Sequence, residues 1–549
     1  MRTTSRSPRI VLAALLLSVA VVSLPAQRLS GADDPPVRDL ARLYRVAGEP
    51  FPTASFPVST AWLHDAALAL REEVTGAGVH GERAAASLRT DGVAAAIDAY
   101  IGGLGYAPNE VRTGVEIEFR PEAYLETDYL RGGVVEKLRR EDPALRLRVS
   151  GSLHDGPLLH TRVEAIRDYN TDYPSNLTPP SESDPIPYEF NNVYEGYFHW
   201  PFAFVAITFG RQPMDLGPAP RSSIALAGGL PYHDALRITM DLGPIRMHHH
   251  ISSIDNFRAR EDVVLPPHEP EKEKEEPPAV YDFDRSQIFF NTHYFEYRFD
   301  SWRFGVGAHH IVSRELNNFH LSDFFPVFSW HNANILPRNM SAFLDATVPV
   351  APGFELYGQA SYDDIRTTGV GIADTSIPTI PAYTFGGRYS RLGDAVDWDV
   401  AMDLGYTHYL WGGYPLKYGL SRAVYRLRTE GGGFALPLTS PYGPGTVFAV
   451  VDAEASGTRF SAGLLYELVG TKPDANPFTT AQAESQLLAS QAYRYSHRVE
   501  AKGTYSFASR ASASVQAGLL VEDGEPEVYL DLGAVIGYEG SATVATVKR

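Results

Sequence analysis

Residues 396–407 read VDWDVAMDLGYT and alternate throughout. Val396, Trp398, Val400, Met402, Leu404 and Tyr406 fall on one side; Asp397, Asp399, Ala401, Asp403, Gly405 and Thr407 fall on the other. A period of two predicts a strand, because successive Cβ atoms leave a pleated backbone on opposite faces. One face is wholly apolar, and the other carries three carboxylates among six residues. A sandwich strand with its polar face in water shows the same split. A membrane-spanning strand requires the pattern to recur, over about 9–11 residues each time.

It recurs along most of the chain. From residue 111, Val111, Thr113, Val115, Ile117 and Phe119 oppose Arg112, Gly114, Glu116, Glu118 and Arg120. Strands are then expected over 146–153, 159–167, 194–211, 235–240, 245–251, 287–300, 302–311, 341–348 and 353–363. The series continues over 382–390, 396–409, 422–429, 446–456, 458–468, 493–507, 511–521 and 527–538. Connections such as 300–301 and 508–510 are short, whereas 170–192 and 261–284 are long. Outer-membrane barrels show this asymmetry, with tight turns at one end and long loops at the other. Roughly 430 residues at about 24 per strand plus connection give about 18 strands. The fold expected is an all-β transmembrane barrel of about 18 antiparallel strands, spanning residues 106–540, with a tail over 541–549.

The first hundred residues differ. Arg2, Arg6 and Arg9 precede an apolar run over 10–22 and a small-residue end at 23–26, the pattern of an export signal over 1–26. A polar leader over 27–37 follows. Residues 38–105 are rich in Ala, Leu, Glu and Arg with helical apolar spacing. Helices are expected from the Ser59-Thr60 start to about Glu73, over about 81–88 and over about 91–104. Following an export signal, this small α-helical unit belongs on the periplasmic side. A freely standing helical domain would read the same way.

Composition narrows the class. The chain has 549 residues, a net charge of −18, no cysteine, and a mean hydropathy of −0.18 that is too polar for a bundle of apolar helices. Thirty Tyr and 27 Phe against 6 Met fit a β protein with aromatic girdles. No basic stripe points to nucleic acid. Without cysteine there are no disulfides, thiolate metal sites or thiol nucleophiles. The Pro- and charge-rich run 266–278 cannot bury apolar area to offset its ordering entropy, and reads as a solvated loop.

Candidate chemistry is sparse. In His248-His249-His250, strand geometry puts the first and third rings on one face and the second on the other, so three adjacent ligands cannot converge. No nucleophile elbow or dinucleotide fingerprint is present, so neither an enzyme nor a cofactor is expected. Residues 320–334 mix rings with short hydrogen-bonding side chains. Phe325, Trp330, His331, Asn332 and Asn334, with Arg338 just beyond, form a candidate sugar-binding set. A membrane girdle or a loop plug accounts for the same rings. Glu296, Arg298, Glu355, Gln359, Asp363, Asp397 and Asp399 are the candidate lumen-lining residues, and as such they also fit a solute channel.

Several ordered stretches resemble the capsule assembly Wzi family. These are Gly210-Arg211-Gln212, then Leu216-Gly217-Pro218, then residues 221–226, and later Leu236-Arg237-Ile238. Phe295-Glu296-Tyr297-Arg298 leading into Gly305-Val306-Gly307, FELYGQASYDD over 354–364, and Tyr442-Gly443-Pro444-Gly445 also agree. So do Gly48-Glu49-Pro50 and Pro57-Val58-Ser59 in the helical unit. Leu216 stands where the family has tryptophan, and Gly445 where it has aspartate. The resemblance implies an outer-membrane barrel of about eighteen strands that holds capsular or other surface polysaccharide without turnover. Its expected partners are that glycan, outer-membrane lipid and the barrel-assembly machinery.

Overall fold

The computed structural model describes residues 27–546 except 77–86, 107–109, 126–128, 133–134, 140–142, 154–155, 168–174, 177–187, 190–192, 220, 227–229, 231, 255–285, 316–337, 365–378, 413–423, 430–431 and 473–489. Eighteen antiparallel strands form a closed barrel. They are β1 (Glu110–Phe119), β2 (Leu145–Leu153), β3 (Leu158–Arg167), β4 (Val193–Phe202), β5 (Val205–Gln212) and β6 (His233–Leu242). Next come β7 (Ile245–Ser253), β8 (Ser286–Arg298), β9 (Arg303–Glu315), β10 (Arg338–Ala351), β11 (Phe354–Asp364) and β12 (Ile380–Arg391). Last are β13 (Asp397–Thr407), β14 (Thr446–Ser456), β15 (Phe460–Thr471), β16 (Arg494–Ala508), β17 (Ala511–Glu522) and β18 (Glu525–Thr546). Strand β18 pairs back onto β1, from Ile536 opposite Phe119 to Thr546 opposite Glu110, so the wall has no open edge.

Burial is inverted relative to a water-soluble sheet. On β13, Trp398, Met402 and Leu404 are 44–48% exposed while Asp403, facing inward, is 5% exposed. On β4, Phe198, Trp200 and Phe202 are exposed and His199 is buried. An apolar exterior around a polar interior matches a hydrocarbon solvent outside and hydrogen-bonding groups inside. Among the described residues no helix is long and apolar enough to cross a membrane.

The strand count matches the expectation through two compensating differences. Residues 194–211 form a hairpin rather than one strand, reversing at Ala203-Phe204, with Ala203 at φ 51°. The turn contains aromatic residues instead of Gly or Pro, so the alternation runs through it without punctuation. Residues 424–429 do form a strand, but it pairs only with Gly432–Pro437 in a side hairpin outside the wall. The expected tail also differs, since residues 541–546 continue β18 and fill the ladder on β1.

Three helices precede the wall: α1 (Pro35–Ala47), α2 (Thr60–Thr75) and α3 (Ser87–Leu104). The expected leader over 27–37 is structured, because Leu29–Ser30 pairs with Val58–Ser59 and Pro35 opens α1. Proline is suited to a first turn, where its missing N–H is not needed. Ser59 caps α2 by accepting from the Trp62 amide at 3.1 Å. The expected helix over 81–88 falls mostly outside the described residues, with Ser87 and Leu88 opening α3. Leu40, Tyr44, Leu63, Leu70 and Ile97 form the buried core of this unit.

A charge on the outer face should be costly here. Leu404→Arg is expected to destabilise the barrel by about 2–4 kcal/mol if it lies at the midplane. The measurement is the urea midpoint for loss of the folded form in lipid vesicles, where an unchanged midpoint would contradict an outward-facing Leu404.

Candidate functional site: the plugged lumen

The wall's long connections lie at one end, together with the Asp523-Gly524 turn, and its other short turns lie at the opposite end. The helical unit enters from the short-turn end, where the Gly353 amide, in the β10–β11 turn, donates to the Arg45 carbonyl at 2.7 Å. Beyond α1, the chain runs into the lumen. Ser55–Phe56 pairs there with Asp215–Leu216, which belong to the β5–β6 connection folded inward from the opposite end. The two ends of the barrel are thus stoppered by segments that meet inside it.

Glu296 on β8 accepts from the Thr53 hydroxyl at 2.6 Å and from the Ala54 amide. The Arg303 guanidinium donates to Glu296 at 3.0 Å, to Asp345 at 2.7 Å and to the Tyr294 hydroxyl at 2.9 Å. Arg303, Glu296 and Asp345 are almost wholly buried. Partners this complete are what make a buried charge tolerable. Arg42 and Arg45 on α1 bind Asp399, with Arg45 also contacting Glu355 and Ser390 and Arg42 contacting Asp397. Arg298 donates to Glu73 of α2 at 2.8 Å.

The inward-folded connection is held in the same manner. Gln359 accepts from the Ile224 amide at 3.2 Å, and Ser222 donates to Asp403. Gly217 has φ +113°, and a Cβ there would overlap Gln359 Nε2, so only glycine lets the connection pass this wall residue. Asp363 accepts from the Gly412 amide at 3.2 Å. Glu296, Arg298, Glu355, Gln359, Asp363, Asp397 and Asp399 therefore each contact a segment that fills the barrel or adjoins it, and the acids among them that meet arginine do not offer free negative charge to a passing cation.

His248 and His250 share a face, 3.0 Å apart from Nε2 to Nδ1, and His248 Nδ1 meets the Ser55 hydroxyl at 2.7 Å. His249 takes the other face beside His293. Among the described residues no cluster of His, Asp or Glu is arranged to hold a metal ion. Phe325, Trp330, His331, Asn332 and Asn334, like the 266–278 run, lie outside the described residues, and Arg338 is the first residue of β10. The residues that sequence reading did not single out are the plug's own: Arg42, Arg45, Thr53 and Ser55, with Arg303 and Asp345 on the wall. Each acts through a contact far away in the chain, which no local spacing reports.

Cavities border the plug among the described residues. One of about 170 Å³ lies between α1 and the β11–β14 wall, and one of about 410 Å³ lies between the helical unit and β1–β3 with β18.

No family model matches the chain, and no curated protein matches it in sequence. Among solved structures it is similar to Wzi, described as an outer-membrane protein involved in group 1 capsule assembly in Escherichia coli and a carbohydrate-binding β-barrel. That match has a TM-score of 0.53 at 12% identity, over 92% of this chain and 99% of the other. Pseudomonas aeruginosa OprD matches at TM-score 0.39 and 10% identity, over 78% and 95%. A BenF-like porin from Pseudomonas fluorescens matches at 0.40 and 9%, over 78% and 99%. At this identity the likeness to Wzi is one of fold, that of an outer-membrane β-barrel.

Two outcomes test the plug. Arg303→Met leaves Glu296 and Asp345 buried without their cation and is expected to cost about 3–5 kcal/mol, read as a lowered urea midpoint. Asp215 lies on the inward-folded connection, and burial beside Asp33 raises its carboxyl from 3.8 to about 7. An undocked Asp215 ionises as pH rises past its ordinary value while the docked one keeps its proton, so docking weakens from pH 3.8 to about 7 and is level below that window. Protease protection of residues 27–76 should follow this course, and Asp215→Asn should remove that part of the pH dependence.

Proposed function

We propose that this chain is an outer-membrane protein that binds capsular or other surface polysaccharide and helps retain it at the cell surface, without chemical turnover. The observation that carries the reading is the filled lumen. The acids and arginines that could line an open pore are occupied by the plug, which leaves the long-connection end as the surface available to a large ligand. The fold-level likeness to a carbohydrate-binding barrel and the ring- and amide-rich run 320–334 agree with it. In this reading the helical unit is periplasmic, the long connections face outward, and Trp330, His331, Asn332, Asn334, Phe325 and Arg338 supply stacking and hydrogen bonds to sugar rings.

The test is a pull-down of the organism's own surface glycan with purified protein. Binding is expected, weakened by Trp330→Ala or Asn334→Ala, each removing about 1–3 kcal/mol if it acts as a hot spot. An absence of binding, together with capsule retained in a deletion strain, would remove the proposal.

A further inference from the structure

The cavity of about 410 Å³ lies where the helical unit faces β1–β3 and β18. Small-ligand sites occupy roughly 300–1,000 Å³, a range that includes this cavity and excludes the one of about 170 Å³. Asp39 on α1 and Gly103 on α3 border the larger cavity and are exposed, so it reaches solvent through the helical unit. Its two sides differ in character. Pro35, Pro36, Leu63, Tyr100 and Leu104 give the helical unit's side a mainly apolar surface. The wall opposite supplies Arg148 of β2, Glu116 of β1 and Glu539 of β18, neighbours across the ladder. Both wall acids already have a cation: Arg148 donates to Glu116 at 2.6 Å, and Arg510 donates to Glu539 at 3.0 Å.

Arg28 also borders this cavity, and its backbone is tied down. The Arg28 amide donates to the Thr60 hydroxyl at 3.3 Å, and its carbonyl accepts from the Thr60 amide at 3.2 Å. The next amide, that of Leu29, donates to the Tyr197 hydroxyl at 2.9 Å. The side chain is treated differently. Among the described residues the Arg28 guanidinium makes no hydrogen bond and has no carboxylate at ion-pair distance, while Asp34, Glu116 and Glu195 lie within electrostatic reach only. A rigid fork of donors is thus presented to the cavity from a fixed backbone, with its hydrogen bonds still to make.

The lining selects among ligands. An anion would meet Asp39, Glu116 and Glu539, and a cation would meet Arg28 and Arg148. An apolar ligand would strip water from all five charges. A neutral sugar avoids each of these costs. Its hydroxyls donate to carboxylates and accept from guanidinium groups, and its C–H face suits the apolar side. We propose that this cavity binds a neutral mono- or disaccharide between the wall and the helical unit. The site lies at the end of the barrel opposite the outward face and does not rest on the surface-binding proposal. Because the cavity exists with the plug in place, occupying it leaves the lumen filled.

The test is saturation-transfer NMR on the purified protein in a detergent without sugar headgroups. Glucose, galactose, mannose, lactose and maltose serve as neutral probes, with glucuronate and glucosamine as charged ones. At least one neutral probe is expected to bind, and to bind more tightly than either charged sugar. Arg28→Met breaks no ion pair, so it should fold and should weaken that binding about tenfold or more through lost charge-assisted hydrogen bonds. A Cβ at Gly103 would meet nothing within 4 Å, so Gly103→Trp is accommodated at the cavity's edge and should also weaken binding by obstruction. Heat-modifiable migration confirms folding, and either variant suffices if the other fails to fold. The proposal is overturned if no neutral probe binds, if a charged sugar binds best, or if a folded variant of either kind binds as the parent does. Trp330→Ala should leave binding of these short sugars unchanged. Loss in Trp330→Ala with Arg28→Met unaffected would assign the sugar to the outward face and overturn the cavity site alone.

Discussion

The structure depends on one constraint: a sheet in hydrocarbon must leave no backbone group unpaired at an edge. Closing β18 onto β1 satisfies it, and the pleat then sorts side chains, apolar outward and polar inward. The polar half is delivered into a confined interior where unpaired charge is expensive. The plug is the response to that interior, setting Arg42 and Arg45 against Asp399 and carrying Thr53 and Ala54 to Glu296. The lumenal charges and the plug therefore form one system, in which removing either side leaves the other without partners.

This also explains why acidic residues are a poor guide to selectivity here. Asp397, Asp399, Glu355 and Glu296 read in sequence as a negative lining, yet each meets an arginine in space. A chain with a net charge of −18 can still neutralise these inward acids, because α1 brings Arg42 and Arg45 to three of them and the wall's own Arg303 meets the fourth.

The fold was legible because its signal is local and repeated. The alternation on β11 and β13 needs only a short window, and the aromatic exterior follows from the same parity. Legibility failed where the deciding interaction was distant or where a turn carried no polar punctuation. Ala203-Phe204 reverses the chain among aromatic neighbours, and residues 424–429 alternate correctly yet pair outside the wall, because alternation specifies a strand and not its partner. Parity assigns each inward residue a face, but it does not name the partner. Thr53 and Glu296 are 243 positions apart, and nothing near either names the other. Helix α1 was not among the expected helices and has a similar origin, since Leu40 and Tyr44 are held in one core with Leu63 and Leu70 from the next helix.

The seam between the last strand and the first has a kinetic consequence. Strand β1 begins six residues after α3 ends, and its free side stays open until β18, the last strand of the wall, has been made. Threading residues 51–58 into a finished cylinder would require them to pass a narrow mouth already ringed by side chains. An unsealed wall imposes no such obstacle. The stopper is therefore most readily installed while the sheet is still a curved ribbon, so that the zipping of first strand to last imprisons it and makes assembly and occlusion a single event.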